Sequence, residues 1–136
     1  NRKIFYQWQN EHQAYVDTLA NIDIGLAPLA DTVFNCCKSD LKLLEYGILG
    51  IPCIASYTGP YVDPIDKGYV LKARNSKDWI KRLRKLVQDK DFYNEQSQKA
   101  KELANSRILS DHIEKRFDIY KEISEGVKES RGQGFK

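Results

Sequence analysis

The sequence predicts an α/β fold: a parallel sheet with flanking helices. Three observations lead there. Short apolar segments alternate with helical ones through the first half of the chain. The stretches between those segments are long enough to carry parallel crossovers. The second half is helical in pattern from Ser76 onward.

Residues 3–8 are rich in β-formers and read as a first strand. Asn10 is placed to cap a helix over 11–21, with Tyr15, Val16 and Leu19 on one face. Residues 22–27 are short, apolar and closed by Pro28, as a buried strand would be. A loop is expected through Asp31, Asn35 and Lys38. Ser39 then reads as the N-cap of a helix over 40–49, stopped by Gly50 and Pro52. Gly50 suits a left-handed helix end, and Gly47 suits close packing of the helix on the sheet. Residues 51–55 make another buried strand. Residues 56–68 hold two glycines and two prolines, which predicts a loop with one helical turn. Residues 69–71 complete the strands, and helices follow over about 77–89, 91–107 and 111–125.

A doubly wound domain usually has about six strands, more than the pattern supplies, so the chain reads as part of a longer protein. The expected organisation is one domain over residues 1–129, truncated on its N-terminal side, and a flexible tail over 130–136. In such sheets ligands sit beyond the carboxyl ends of the strands, which directs attention to the loops after Ala27 and Ala55.

Composition narrows the partners. Of 136 residues, 41% are hydrophobic and 30% charged, with a net charge of +3, which excludes a disordered chain and supports no nucleic-acid partner. No apolar run reaches the roughly 20 residues of a membrane span. Cys36, Cys37 and Cys53 are an odd set with two neighbours, a poor disulfide framework. No metal is expected, because His12 and His112 are far apart and no paired-cysteine motif occurs. Both histidines read as plain surface residues, and Trp8 and Trp79 as core anchors. Lys81, Arg82, Arg84 and Lys85 form a basic helix face that is solvated or meets an anionic membrane.

The predicted helix after Ser39 carries the chemistry. At about 100° per residue, Leu41, Leu44, Ile48 and Leu49 form an apolar arc, and Glu45 falls about 40° from Leu41, inside it. A carboxylate there is costly to bury without a partner. Either Glu45 pairs with a nearby lysine, or it lines a ligand site and accepts hydrogen bonds from hydroxyl groups. At the helix start, the free N–H groups of Asp40 and Leu41 together with Lys38 favour an anion, and a diphosphate suits them.

These residues are similar to a known pattern. Tyr15 and Leu19, the run Asp23-Ile24-Gly25-Leu26-Ala27-Pro28-Leu29, then Asp31, Phe34-Asn35, KSDLKLLEYGILGIPCIAS from Lys38 to Ser56, and Gly59-Pro60-Tyr61 resemble the C-terminal domain of group 1 (family 4-like) glycosyltransferases of the GT-B fold. The likeness covers about residues 15 to 72. It implies a Rossmann-like half that binds a nucleoside diphosphate sugar, with the acceptor site in an N-terminal domain. Within the family's Glu-x7-Glu pattern, the second glutamate, which contacts the ribose, matches Glu45. The turn that meets the diphosphate matches Ser39-Asp40-Leu41, assisted by Lys38 as the catalytic group. Cys37 stands where the family has its first glutamate, which holds the donor sugar. Asp31 or Asn35 would take over that role, the sugar is held differently, or activity is altered.

The expected function is therefore transfer of a sugar from a nucleotide sugar to an acceptor hydroxyl on a glycan, lipid-linked or protein acceptor. Retention of configuration and a place in glycan or surface polysaccharide biosynthesis are implied by the resemblance, as is a cytoplasmic location, peripheral to the inner membrane face. No metal or other cofactor is implied, and the fragment alone is expected to be inactive. Two alternatives compete: a catalytically degenerate interaction domain of the same fold, and another nucleotide-binding α/β protein, such as a response-regulator-like domain or a nucleotide-sugar epimerase of GT-B architecture. A Glu45 facing a cleft beside Ser39 would favour transfer; one packed against a lysine with no cleft would favour the degenerate domain.

Overall fold

A computed structural model describes residues 11–132, with side-chain burial described for residues 11–124. The expected strand at 3–8, Trp8 and the cap at Asn10 lie outside the described residues. The chain divides into two compact units between Asn105 and Ser106.

The first unit opens with α1 (His12–Leu19) and β1 (Gly25–Ala27), followed by the short α2 (Val33–Cys36). Next come α3 (Leu41–Ile48), β2 (Cys53–Ser56), a 3-10 turn at Gly59–Tyr61 and α4 (Val62–Asp66). The unit closes with β3 (Leu71–Ala73), α5 (Ser76–Gln88) and α6 (Lys90–Asn105). The three strands form one parallel sheet in the order β1-β2-β3. Cys53 pairs in register with Gly25, and Ile54 with both Leu26 and Leu71.

Two apolar clusters explain why β2 reads as a continuous apolar run. Successive strand side chains point to opposite faces, and both faces are covered. Cys53 and Ala55 join Leu43, Tyr46, Ile51, Tyr61 and Ile65 on one side. Ile54, fully buried, joins Leu71, Ala73 and Leu86 on the other, with Trp79, Leu83 and Phe92 packed against them. α6 serves both clusters, supplying Leu103 to the first and Phe92 and Tyr93 to the second. Full burial of a side chain such as Leu43, Ile54 or Leu103 contributes about 1.5–3 kcal/mol each.

Helix ends follow their local chemistry. At the start of α5 the Asn75 side chain accepts from the Asp78 N–H at 3.0 Å, and Asp78 accepts from the Arg74 N–H at 3.0 Å. The first bond satisfies a donor that the helix start leaves open, and the second ties the residue before the cap to the first turn. Asp89 does similar work for α6, accepting from the Phe92 N–H at 2.9 Å. Gly50 ends α3 with φ of 69°, the left-handed conformation its position predicts.

Several expectations need correction. The segment expected as loop contains α2, whose first turn is capped by Thr32 accepting from the Asn35 N–H. The α3 N-cap is Asp40 rather than Ser39. Because α2 stops just upstream, the chain turns straight into α3, and Asp40 has φ −84° and ψ 15°, not the extended geometry of a side-chain cap. Gly47 meets α6 rather than the sheet: a Cβ there would lie 2.5 Å from the Ala100 carbonyl oxygen and 3.0 Å from the Ala104 Cβ. The neighbouring ring of Tyr46 fills the sheet side, lying against Gly25. The last strand is displaced to 71–73, since Tyr69 N–H still bonds back to Pro64 and closes the α4 turn.

The second unit comprises a 3-10 turn at Leu109–His112 and α7 (Ile113–Gly132), so residues 130–132, expected in the tail, close a helix. Within it Ile113, Phe117, Tyr120 and Ile123 are exposed and share one helix face. Among the described residues no helix is long and apolar enough to cross a membrane.

Candidate functional site

The parallel strands end together at Ala27, Ser56 and Ala73, and the loops that follow are tied to one another. The Leu29 N–H donates to Ser56 Oγ at 2.9 Å, which joins the first loop to the end of β2. Thr58, itself buried, donates its hydroxyl to Asp31 Oδ1 at 2.7 Å. The Asn35 amide is spent on the Ala30 carbonyl at 2.9 Å, holding the turn before α2. Gly59 has φ of 53° and lets the next loop press on this turn: a Cβ there would come within 3.0 Å of Asn35 O and Cys36 Cα. The carboxyl edge is thus a braced rim.

The expected anion site sits at one corner of that rim. Lys38 and Ser39 are exposed in the link between α2 and α3, with the Lys38 ammonium 5.1 Å from the centre of the Phe34 ring. Asp40 occupies the N-cap, and Leu41, 56% exposed, is the first residue of α3. Asp31 Oδ2 has no partner among the described residues, whereas Asn35 turns its amide toward the backbone. Cys36 and Cys37 are both exposed and free.

Glu45 lies further along α3, on the flank facing α1. Its Oε2 accepts from the Tyr15 hydroxyl at 2.6 Å and from the Lys42 ammonium at 2.7 Å. Lys42 also donates to the Tyr15 hydroxyl, closing a three-membered network. The Lys42 ammonium stands 5.1 Å from the Tyr15 ring centre and 5.7 Å from that of Tyr46. Burial alone would lower the lysine pKa, but the bonds to Glu45 and Tyr15 outweigh it and hold the group above the usual lysine value. The pair is partly open, with side-chain exposures of 40% for Lys42 and 25% for Glu45. Glu45 Oε1 has no partner among the described residues.

A cavity of about 140 Å³ adjoins the network, walled by Glu45, Ile48 and Leu49 of α3 and by His12, Tyr15 and Val16 of α1. Glu45 therefore both pairs with a lysine and faces a hollow, but the hollow runs between the helices rather than beside Ser39. His12, read from sequence as a plain surface residue, is exposed and lines this wall.

Sequence reasoning missed Tyr15, Lys42 and Thr58 as site residues. Lys42 carried a signal, lying three residues before Glu45 on the same helix. Tyr15 is 30 residues away and Thr58 27 residues from Asp31, so only the packing of separate elements joins them. Of the basic face, Lys81, Arg84 and Lys85 line an open groove with Lys77, while Arg82 is half-buried. The chain matches no protein-family model, no curated protein and no solved structure against which it was compared.

Proposed function

We propose that this chain is the donor-binding half of a GT-B-type glycosyltransferase, which passes a sugar from a nucleoside diphosphate to an acceptor hydroxyl. One observation carries the reading: the rim where the parallel strands end also holds the start of α3, with Lys38 exposed beside it and Glu45 on the same helix. In parallel α/β sheets this edge is where ligands bind. N–H groups at a helix start favour phosphate, and a carboxylate accepts hydrogen bonds from ribose hydroxyls. The sequence resemblance over residues 15 to 72 assigns the same roles.

In the proposed reaction the bond between the sugar C1 and the diphosphate oxygen breaks as a bond forms to the acceptor oxygen. The acceptor gives up its proton, and the diphosphate leaves with the bonding electron pair. Charge grows on that phosphate, so Lys38 and the amides of Ser39, Asp40 and Leu41 would stabilise the transition state. Glu45 would hold the ribose. Asp31, with one oxygen fixed by Thr58 and the other without a partner among the described residues, would meet donor-sugar hydroxyls more readily than Asn35, whose amide is spent on Ala30, in place of the acid that Cys37 replaces. Acceptor binding, retention of configuration and membrane-peripheral location belong to the same proposal, with the acceptor held by another domain.

Calorimetry of the full-length protein with UDP- and GDP-sugars tests the reading: saturable binding of one nucleotide sugar is expected, and no binding of any would sink it. A second reading is a degenerate domain of this fold that no longer transfers sugar. Glu45 packed on Lys42, and Cys37 in the acid position, favour it. Donor hydrolysis or transfer by the full-length protein decides between the two.

A further inference from the structure

The network around Glu45 is open to two physical interpretations. If Lys42 merely neutralises a misplaced carboxylate, the pair is a structural repair and the ligand site is lost. The way the bonds are distributed argues otherwise. Both donors, the Tyr15 hydroxyl and the Lys42 ammonium, converge on the single oxygen Oε2, and they also bond to each other. The other oxygen is left without a partner among the described residues, and Glu45 is part of the wall of the cavity between α1 and α3. An ordinary pair such as Lys99 with Glu95 places a single donor on one oxygen, whereas Glu45 Oε2 takes two donors from two helices. Holding one oxygen by two donors from different elements fixes the carboxylate plane and aims the second oxygen.

We infer that Tyr15 and Lys42 are positioning residues that aim Glu45 Oε1 at the ribose hydroxyls of a nucleoside diphosphate, which makes the site selective for ribonucleotides over 2′-deoxyribonucleotides. The inference rests on the donor-binding reading above and deepens it. A carboxylate oxygen can only accept, so Oε1 demands a hydroxyl donor, while Lys42 and Tyr15 hold Oε2. A ligand lacking the 2′-hydroxyl would leave that oxygen unsatisfied, a loss that charged hydrogen bonds make about tenfold or more in affinity.

The experiment compares UDP and GDP with their 2′-deoxy counterparts by calorimetry on the full-length protein and on Lys42→Met, Lys42→Arg, Tyr15→Phe and Glu45→Gln variants. The wild type is expected to prefer the ribonucleotide by about tenfold or more. Lys42→Met, Tyr15→Phe and Glu45→Gln should each bring the two forms close to equal affinity, and Lys42→Arg should recover part of the preference. Tyr15→Phe removes one oxygen atom only, so it reads the network even if Lys42→Met fails to fold. A preference that survives both Tyr15→Phe and Lys42→Met overturns the positioning role and leaves donor binding standing. A wild type that binds both forms equally does the same. A wild type that binds neither UDP nor GDP overturns the donor-binding reading and this inference with it.

Discussion

Cys53 is the most deeply buried titratable side chain among the described residues, and its chemistry contrasts with that of Cys36 and Cys37. It sits on β2 among Leu43, Tyr46 and Tyr61, and burial raises its thiol pKa from the ordinary 9.0 to about 12. Between those values the unfolded chain has released the proton and the folded chain still holds it. Unfolding is then favoured by rising pH, so Cys53 stabilises the fold fully below about pH 9 and progressively less up to pH 12. The limiting slope is about 1.4 kcal/mol per pH unit for one group. Denaturant titrations at pH 8 to 11 should show stability falling, and a Cys53→Val variant should show a shallower fall; equal slopes would refute the assignment. Maleimide labelling of the native protein should modify Cys36 and Cys37 quickly and Cys53 only on unfolding. Lys38 is the residue-scale test of the anion site: Lys38→Ala should weaken UDP or GDP binding about two- to fivefold, with the loss shrinking as salt rises.

At the scale of elements, α3 is held by two backbone features that differ in how plainly the sequence announces them. Gly50 stands where the helix pattern stops, and its φ of 69° suits glycine, so Gly50→Ala should cost about 1–2 kcal/mol. Gly47→Ala should cost about 1–3 kcal/mol despite alanine's better helix propensity, because the new methyl meets the Ala100 carbonyl, part of a backbone that cannot turn aside. Chemical denaturation checks both, and a neutral Gly47→Ala would place the α3–α6 contact further apart than it stands. The sequence carries Gly50's role because one residue's conformation is a local matter. It hides Gly47's partner, since a glycine says that something comes close but not whether sheet or helix arrives. The same limit applies at Glu45: its place in the apolar arc is set by helical spacing, and Lys42 three residues earlier is visible, but Tyr15 requires knowing that α1 lies alongside. α2 was hidden for another reason. Four residues give no periodicity, and its stability comes from the Thr32 cap and from the Gly59 turn pressed against it.

For the first unit as a whole, the parallel α/β class was legible because β2 must be apolar on both sides, and the sequence shows short apolar runs rather than alternation. What the pattern could not convey is how the two sides are bound into one cooperative body. Cys53 and Ile54 are consecutive residues that belong to opposite clusters, and α6 packs into both. Loosening either side therefore exposes the central strand and removes half the seating of α6, so the two clusters should unfold together. Two probes report the sides separately: Cys53 thiol reactivity reads the α3 side, and Trp79 fluorescence, in a Trp8→Phe background, reads the α5 side. Their urea midpoints should coincide. Leu103→Ala on one side and Leu86→Ala on the other should each cost about 2–5 kcal/mol and shift both probes by the same amount. Midpoints that separate, or a Leu86→Ala effect confined to Trp79, would mean that β2 transmits no coupling and that the rim built on its carboxyl end is braced from the α3 side alone.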